Sequence, residues 1–517
     1  MDALRYYTPP ADLLNRTISC DLCIYGGTSG AIAAATAAKR KGMSVVVLEQ
    51  SQHVGGMTAG GLSLTDIGNK QAIGGISREF YGRVGKHYGV PEHWRFEPHV
   101  AEKVFHEWIR EENIELYHTT FLDRIEMDGQ RITRLWTENG LEVSAKFFMD
   151  CTYEGDLMAA AKVSYTVGRE SNSQYNETYN GAQVLEHHQF QRPVSAYVVE
   201  GDPSSGLLPG IEPNEPVIGQ GDKRVQAYNF RLCLSKDPGN QIPFTEPEGY
   251  DRSYYELLAR YYQTGYEPGF WKFDSLINDK VDMNNEGGFS SDFIGGNHAF
   301  PEASYAEREK IFQAHVKHIK GLLWFWKQDP SVPESYQKPF QQWGWAANEF
   351  VDCGGFSHAL YVREARRLVG DVVMTEHHCT GAETIEDSVG MAAYTMDSHN
   401  CQRFVTKDGH VKNEGDVQVP GGPPYPISYR ALIPKKGECE NLFIPFCLSA
   451  SHIAFGSIRM EPVFMILSES CVHAAALALS KGTSVQDVSY TDLRSELEKA
   501  GQVLGNVARV ADLQNGE

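Results

Sequence analysis

The residues best suited to chemistry lie near the start of the chain, in the run DLCIYGGTSGAIAAATAAKRKGMSVVVLE at 21–49. Gly26 and Gly27 permit a tight turn with close backbone approach. Thr28, Ser29 and Gly30 lead into a helix whose free N–H groups and positive dipole end can hold a diphosphate. Glu49 stands about 20 residues past the turn, where a carboxylate can accept hydrogen bonds from an adenosine ribose. Turn, helix and acid together make a dinucleotide site. The fingerprint is incomplete: aligned on Gly26, its second and third glycine positions hold Thr28 and Ala31.

Two strands and a helix must position these groups. Leu22–Tyr25 and Ser44–Leu48 are short apolar runs suited to buried parallel strands. Ala31, Ala33, Ala34, Ala35, Ala37 and Ala38 give the intervening helix a thin surface that can lie close on a sheet, and Gly42 is its stop. The loop SQHVGGMTAGGLSLTDIG follows, with Gly55, Gly56, Gly60 and Gly61 allowing close approach to a ligand. His99–Glu111 reads as a helix. Residues 114–152 read as a strand meander with turns at Asp128-Gly129 and Asn139-Gly140, closing on FFMDCTYEGD.

From about residue 172 the chain becomes polar, aromatic and rich in Pro and Gly. Helices are expected at Tyr254–Tyr262, Ser304–Lys327 and 358–370. Beyond 380 the apolar strand-and-helix character of the first 170 residues returns. NLFIPFCLSASHIAFGSIRMEPVFMILSESCVHAAALALSKG reads as strand, loop and long apolar helix, with Pro462 in its first turn and Gly482 at its end. The expected organisation is an α/β chain in which 18–172 and 380–482 form one dinucleotide-binding domain. Residues 173–379 are then an inserted α+β substrate or cap domain, and 483–517 a C-terminal tail with a frayed end.

The formal net charge of −20 opposes nucleic acid and anionic membranes as partners. No apolar run is expected to span a bilayer, and the start MDALRYYTPPADLLNR carries neither a Sec nor a twin-arginine signal, so the expected location is cytoplasmic without membrane insertion. The ten cysteines are dispersed; only Cys20 and Cys23 are CxxC-spaced, and Cys23 falls inside the first strand, so buried thiols are expected. His187-His188 and His377-His378 have no sequence partner at metal-ligand spacing, and no metal is expected.

The strings YGGTSGAIAA, HVGGMTAGG, DCTYEGDLMAAAKVSYTVGRES, GDKRVQAYNFRLCL, VDMNNEGGFSSDFIG, YVREARRLVG, DSVGMAAYTMDSH and LSASHIAFGSIRMEPVFMILSES run through nearly the whole chain. In them the sequence resembles the FAD-dependent oxidoreductases that carry a Rossmann-like, glutathione-reductase-type FAD-binding domain. The resemblance implies FAD as cofactor. Gly26, Gly27, Thr28, Ser29 and Gly30 would then hold the diphosphate and Glu49 the adenosine ribose. Gly55, Gly56 and Met57 would run beside the ribityl chain and isoalloxazine. Leu122 would meet adenine through its backbone. The Asp150-Cys151-Thr152 turn with Gly155-Asp156 matches a second FAD fingerprint, with Asp156 near the ribityl and diphosphate. Ser457, Ile458 and Arg459 would reach the pyrimidine end of the flavin. Cys151 departs from the usual small residue, and Glu469 from the usual Gln.

FAD accepts the hydride in such enzymes, so the protein must place the substrate and move the proton. Arg459, with the positive end of the helix beginning near Pro462, would stabilise charge on the reduced ring. His452 in SASHIAFG is the first candidate base, taking a hydroxyl or amine proton as hydride leaves. His298 is the reserve, since it follows a polar loop in which Asn284, Asn285, Ser290, Ser291 and Asp292 could face a hydroxyl-rich substrate. Arg363, Glu364, Arg366 and Arg367 read as a salt-bridged helix face. Asp397 and His399 would point the same way only on a strand. The expected activity is hydride transfer from a small polar substrate, a sugar, polyol or other CH–OH compound, by a dehydrogenase or oxidase whose electron acceptor stays open. A flavin-dependent reductase of an activated C=C bond and a flavin electron-transfer subunit are the alternatives.

Overall fold

A computed structural model describes residues 4–266, 272–505 and 507. Strand β1 (Arg16–Tyr25) runs through the middle of the main sheet, and its apolar end, Leu22–Tyr25, is wholly buried. Helix α1 (Ser29–Arg40) crosses to β2 (Val45–Leu48), which lies parallel to β1 with Leu22 opposite Val45. β3 (Glu115–Tyr117) extends that parallel side. β4 (Leu122–Asp128), β5 (Arg131–Thr137) and β6 (Leu141–Asp150) form the antiparallel meander. Its turns hold Gly129 and Gly140 at φ 58° and 79°, where glycine avoids the Cβ strain of the left-handed region. β6 returns parallel to β1, giving the order β3-β2-β1-β6-β5-β4.

β7 (Tyr165–Val167) leaves this sheet and pairs antiparallel with β8 (Arg366–Leu368). Between them lies a five-stranded antiparallel sheet built from segments at 232–235, 241–242, 272–275, 280–284 and 344–346. Its long neighbour is α2 (Tyr305–Gln328), opened by a Ser304–Glu307 capping box and buried along Phe312, Ile319, Leu322 and Trp326. β9 (Met396–Ser398) and β10 (Val417–Val419) pair antiparallel. β11 (Leu442–Phe443) then rejoins the main sheet parallel to β6. The short α3 (His452–Ile458) leads into α4 (Glu461–Lys481), which packs on α1. Gly30 makes that packing possible: a Cβ there would lie 2.5 Å from Ser468 Oγ and 2.6 Å from the Phe446 ring.

Two expectations change. Residues 358–370 are not helical; the chain is extended and only Arg366–Leu368 is regular strand. Of the expected local pairs Glu364–Arg367 does form, at 2.8 Å, but it is buried and off any helix, and the arginines also reach distant partners, Arg363 to Asp292 at 3.0 Å, Arg366 to Asp156 at 2.7 Å and Arg367 to Glu170 at 2.9 Å. α4 is long and apolar enough to cross a membrane, contrary to the expectation, but 78% of its apolar window is buried inside the protein. Strands also pair across the expected domain limits: β7 pairs with β8, and Ile211 pairs with Arg403. Residues 490–499 form a helix seated by Leu493 and Leu497, whereas the expected frayed end, 506 and 508–517, lies outside the described residues.

Candidate active site

The two glycine turns meet at the carboxyl ends of the parallel strands. Gly26 has φ 96°, and a Cβ on it would come within 2.9 Å of the Cys151 carbonyl and Thr152 nitrogen. Thr28 Oγ1 donates to the Cys151 carbonyl at 2.9 Å, which joins the turn after β1 to the turn after β6. Glu49 accepts from the Gly27 N–H and, at 2.7 Å, from the Ser51 N–H. Gly55 N–H donates to the Gly27 carbonyl at 2.8 Å, and Gly56 at φ 53° has no room for a side chain beneath the Tyr153 hydroxyl. Ser29 Oγ donates to Glu461 at 2.6 Å, tying the start of α1 to the start of α4.

These turns border a cleft of about 110 Å³ lined by Gly26, Thr28, Glu49, Gly56, Tyr6 and Leu360. The first-turn N–H groups of α1 have no acceptor within the helix. A glycine cradle, a helix N-terminus and an acid at the next strand end fit the diphosphate and ribose of FAD. Met57 N–H donates to Tyr153 OH at 2.9 Å, and its side chain packs with Leu62 and Tyr361.

Other expected contacts are engaged within the protein. Leu122 N–H donates to Tyr25 OH at 2.9 Å, and its carbonyl accepts from Tyr305 OH at 3.2 Å. Thr152 Oγ1 donates to Asp150 at 2.7 Å, and Gly155 at φ 72° starts the next helical turn. Asp156 is held by Arg308 at 2.6 and 2.8 Å and by Arg366 at 2.7 Å. Ser457 Oγ donates to the Tyr394 carbonyl at 2.6 Å and accepts from Tyr425 OH at 2.7 Å, beside a fully buried Ile458. Glu469, the departure from Gln, accepts from Ile76 N–H at 2.8 Å and from Gln502.

Arg459, at the end of α3, opens a second group of buried polar residues. It donates to Tyr361 OH at 2.8 Å, to Asp397 at 3.1 Å and to Gln226 at 3.2 Å. Asp397 lies in β9 and His399 one residue past its end, and the two side chains approach each other. His399 Nδ1 lies 2.7 Å from Asp292 and its Nε2 3.5 Å from Asp397. Burial and Arg363 oppose charge on His399, but Asp292 and Asp397 outweigh them, so its pKa is raised. Burial would raise the Asp292 carboxyl, yet Arg363 and His399 hold it down to about 2. We call this group the chamber. It touches the cofactor cleft through Tyr361, which packs on Met57.

His452 begins α3 and is buried. Its Nδ1 lies 2.7 Å from Glu364 and its Nε2 3.0 Å from Ser398 Oγ, so both ring nitrogens are engaged. Its backbone N–H donates to Glu170 at 3.0 Å. His298 sits apart from Arg459: its Nδ1 accepts from Val225 N–H at 3.4 Å, and it borders a separate cavity with Lys223, Glu302 and Lys310. Burial and Arg224 lower its pKa to about 4. Folding thus gathers Arg459, His399, Asp292 and Asp397, sets His452 behind Ser398, and leaves His298 elsewhere. Tyr361 and Gln226 lie within the strings YVREARRLVG and GDKRVQAYNFRLCL, which assign them no role, and Asp292 was visible only as one member of a polar loop.

A mixed sheet with a parallel centre, a glycine turn on a helix N-terminus and a second glycine loop closing the same cleft define a Rossmann-type dinucleotide-binding enzyme. The chain belongs to the family of FAD dependent oxidoreductases, which it matches over residues 21–497, and its cofactor is FAD. No curated protein matches it. Similar solved structures include a flavin-containing monooxygenase from Stenotrophomonas maltophilia, at 14% identity, with 32% of this chain and 44% of that one covered and a TM-score of 0.20. Another is the 3-ketosteroid-delta4-(5alpha)-dehydrogenase of Rhodococcus jostii RHA1, at 14% identity, 31% and 51% coverage and a TM-score of 0.21. A third is the L-proline dehydrogenase of P. horikoshii, at 18% identity, 30% and 25% coverage and a TM-score of 0.18. The chain thus spans less than half the length of the monooxygenase and about half that of the ketosteroid enzyme.

Glu49→Ala should weaken FAD binding by about 1.5–3 kcal/mol, the size of a charge-assisted hydrogen bond. The Gly27 and Ser51 N–H groups lose their acceptor in the same change. Titration of the apoprotein with FAD, followed by quenching of flavin fluorescence, checks this; unchanged affinity would remove Glu49 from the ribose site.

Proposed function

We propose that the enzyme takes hydride from a CH–OH carbon of a small polar molecule, such as a sugar or polyol, held in the chamber beside Met57. The observation that carries this reading is His399, one ring nitrogen tied to a buried carboxylate and the other facing Asp397 near Arg459. FAD, when bound, supplies the two-electron hydride acceptor. Asp292 keeps a proton on His399 Nδ1, so Nε2 is the atom that takes the substrate hydroxyl proton. Arg459 holds negative charge that develops on the reacting groups. His452, with both ring nitrogens engaged, braces β9 through Ser398, and the role of base passes from it to His399. The reading of 173–379 as a cap on a glutathione-reductase-type domain is supported by α2 and Tyr361, which approach the cleft from that region.

A C=C reductase is the second reading, because His399 is biased toward its charged form with two arginines nearby, as a proton donor requires. The two readings have opposite pH dependence. Oxidation needs neutral His399, so reduction of the flavin by substrate should speed up as pH rises through its raised pKa. Asp292→Asn removes one raising influence and should move that limb to lower pH. Reduction of a C=C bond needs the imidazolium and should slow over the same range. Anaerobic stopped-flow against pH, for both proteins, separates the two by following flavin reduction with a polyol and reoxidation of the reduced flavin with an activated alkene; flat profiles in both count against His399 in either role.

A further inference from the structure

Asp416 is 2% exposed, yet neither of its carboxyl oxygens has a hydrogen-bond partner. Buried polar groups are nearly always paired, so this one points to a ligand. The register of β9 and β10 sets Asp397 opposite Gln418 and Ser398 opposite Val417. Continued one residue beyond the ladder, the same register sets His399 toward Asp416, and the charge of His399 acts on the Asp416 carboxyl. On its other side, the ligand atoms of Asp416, His187 and His188 lie within 4.8 Å of one another, and His187 is exposed. Asp416 therefore stands between the chamber and solvent.

A metal ion suits this place poorly. His188 Nδ1 accepts from Gly287 N–H at 3.0 Å, so its neutral ring carries its proton on Nε2 and has no free lone pair. Each arginine of the chamber has a carboxylate beside it, Arg363 in Asp292 and Arg459 in Asp397, so neither offers the net positive charge a substrate carboxylate would need, although each keeps an N–H to donate. Among the buried polar atoms of the described residues that have no hydrogen-bond partner are both acceptors and donors of this group: the Asp416 oxygens, Asp292 Oδ1, and the Nε groups of Arg363 and Arg459. A hydroxyl group both donates and accepts, and an uncharged polyol matches such a set. Burial pushes the Asp416 carboxyl up to about 8; His399 and Arg363 pull against it, and Asp397 and Asp292 add to it. A carboxyl that is largely neutral gives an ammonium group little attraction.

We propose that Asp416 is the docking carboxyl of the chamber, receiving adjacent hydroxyls of an uncharged, hydroxyl-rich substrate that enters past His187 and His188. It thereby selects that class over acids and amines. This rests on the reading of the chamber as the substrate site, and deepens it.

The test is calorimetric binding to the oxidised holoenzyme, with neutral aldoses, alditols and inositols as probes, and a uronic acid and an amino sugar as charged counterparts. At least one neutral probe should bind, with its charged counterparts at least tenfold weaker. Asp416→Leu should weaken binding at least tenfold without lowering the thermal midpoint, since it removes an unpaired polar group; Asp416→Asn should restore part of the affinity. The assignment is overturned if no neutral probe binds, if Asp416→Leu binds as well as the parent, or if the protein takes up Zn²⁺ or Mn²⁺ stoichiometrically and Asp416→Leu abolishes this. Binding needs no turnover, so the two readings fail separately. A polyol that binds through Asp416 but never bleaches the flavin counts against hydride transfer alone. A polyol that bleaches parent and variant at the same concentrations counts against Asp416 alone.

Discussion

His399→Ala is expected to slow flavin reduction by substrate about a hundredfold or more while FAD stays bound, the usual scale for loss of a positioned general base. The side chain lies in the chamber, its Nδ1 anchored on Asp292 at 2.7 Å, and it takes no part in the glycine turns of the cleft. His452→Ala should behave differently. It removes the bridge between Glu364 and Ser398, so the expected change is a lower thermal midpoint with reduction slowed less than tenfold. Stopped-flow traces of both variants with one substrate decide the matter. A hundredfold loss in His452→Ala beside a near-normal His399→Ala would return the role of base to His452.

Arg308→Ala is expected to destabilise the protein by roughly 3–5 kcal/mol, the range for removing one partner of a buried ion pair. Arg308 is 1% exposed at its side chain, holds Asp156 at 2.6 and 2.8 Å, and also donates to the Phe300 and Pro301 carbonyls. Burial would raise the Asp156 carboxyl, but Arg308 and Arg366 hold it low. Its loss would leave Asp156 with Arg366 alone, at the turn that follows β6. Because α2 comes from the middle of the chain, the pair clamps that region to the cofactor turns, and FAD retention should fall as well. Arg308→Lys should recover only part of the stability, since an ammonium cannot make the two-pronged contact. Thermal and urea midpoints of the holoenzyme measure both changes; a midpoint within a degree of the parent would show that the clamp carries no stability.

The elements read correctly from the sequence are those whose determinants are contiguous. β1, the Gly26-Gly27 turn and α1 are legible because an apolar run, flexible residues and small helix formers follow one another directly. The meander is legible through Gly129 and Gly140, and the limits of α4 through Pro462 and Gly482. With Glu49 at the strand end, these local signals point to a dinucleotide-binding unit, and FAD follows from the family to which the longer strings belong. The segment 358–370 reads wrongly as a helix because its charges sit at helical spacing, and spacing does not reveal whether a charge meets water or a partner far along the chain. Arg363 meets Asp292 and Arg366 meets Asp156, so the same residues lie extended in the interior. The chamber follows the same logic. His399 finds Asp292 across 107 positions, and Asp416 comes beside His187 and His188 only when β10 pairs with β9. Composition and periodicity are local quantities, whereas the tautomer of a histidine, the pairing of a buried acid and the neighbours of an unpaired one are set by contacts between distant strands, and these the tertiary structure alone decided.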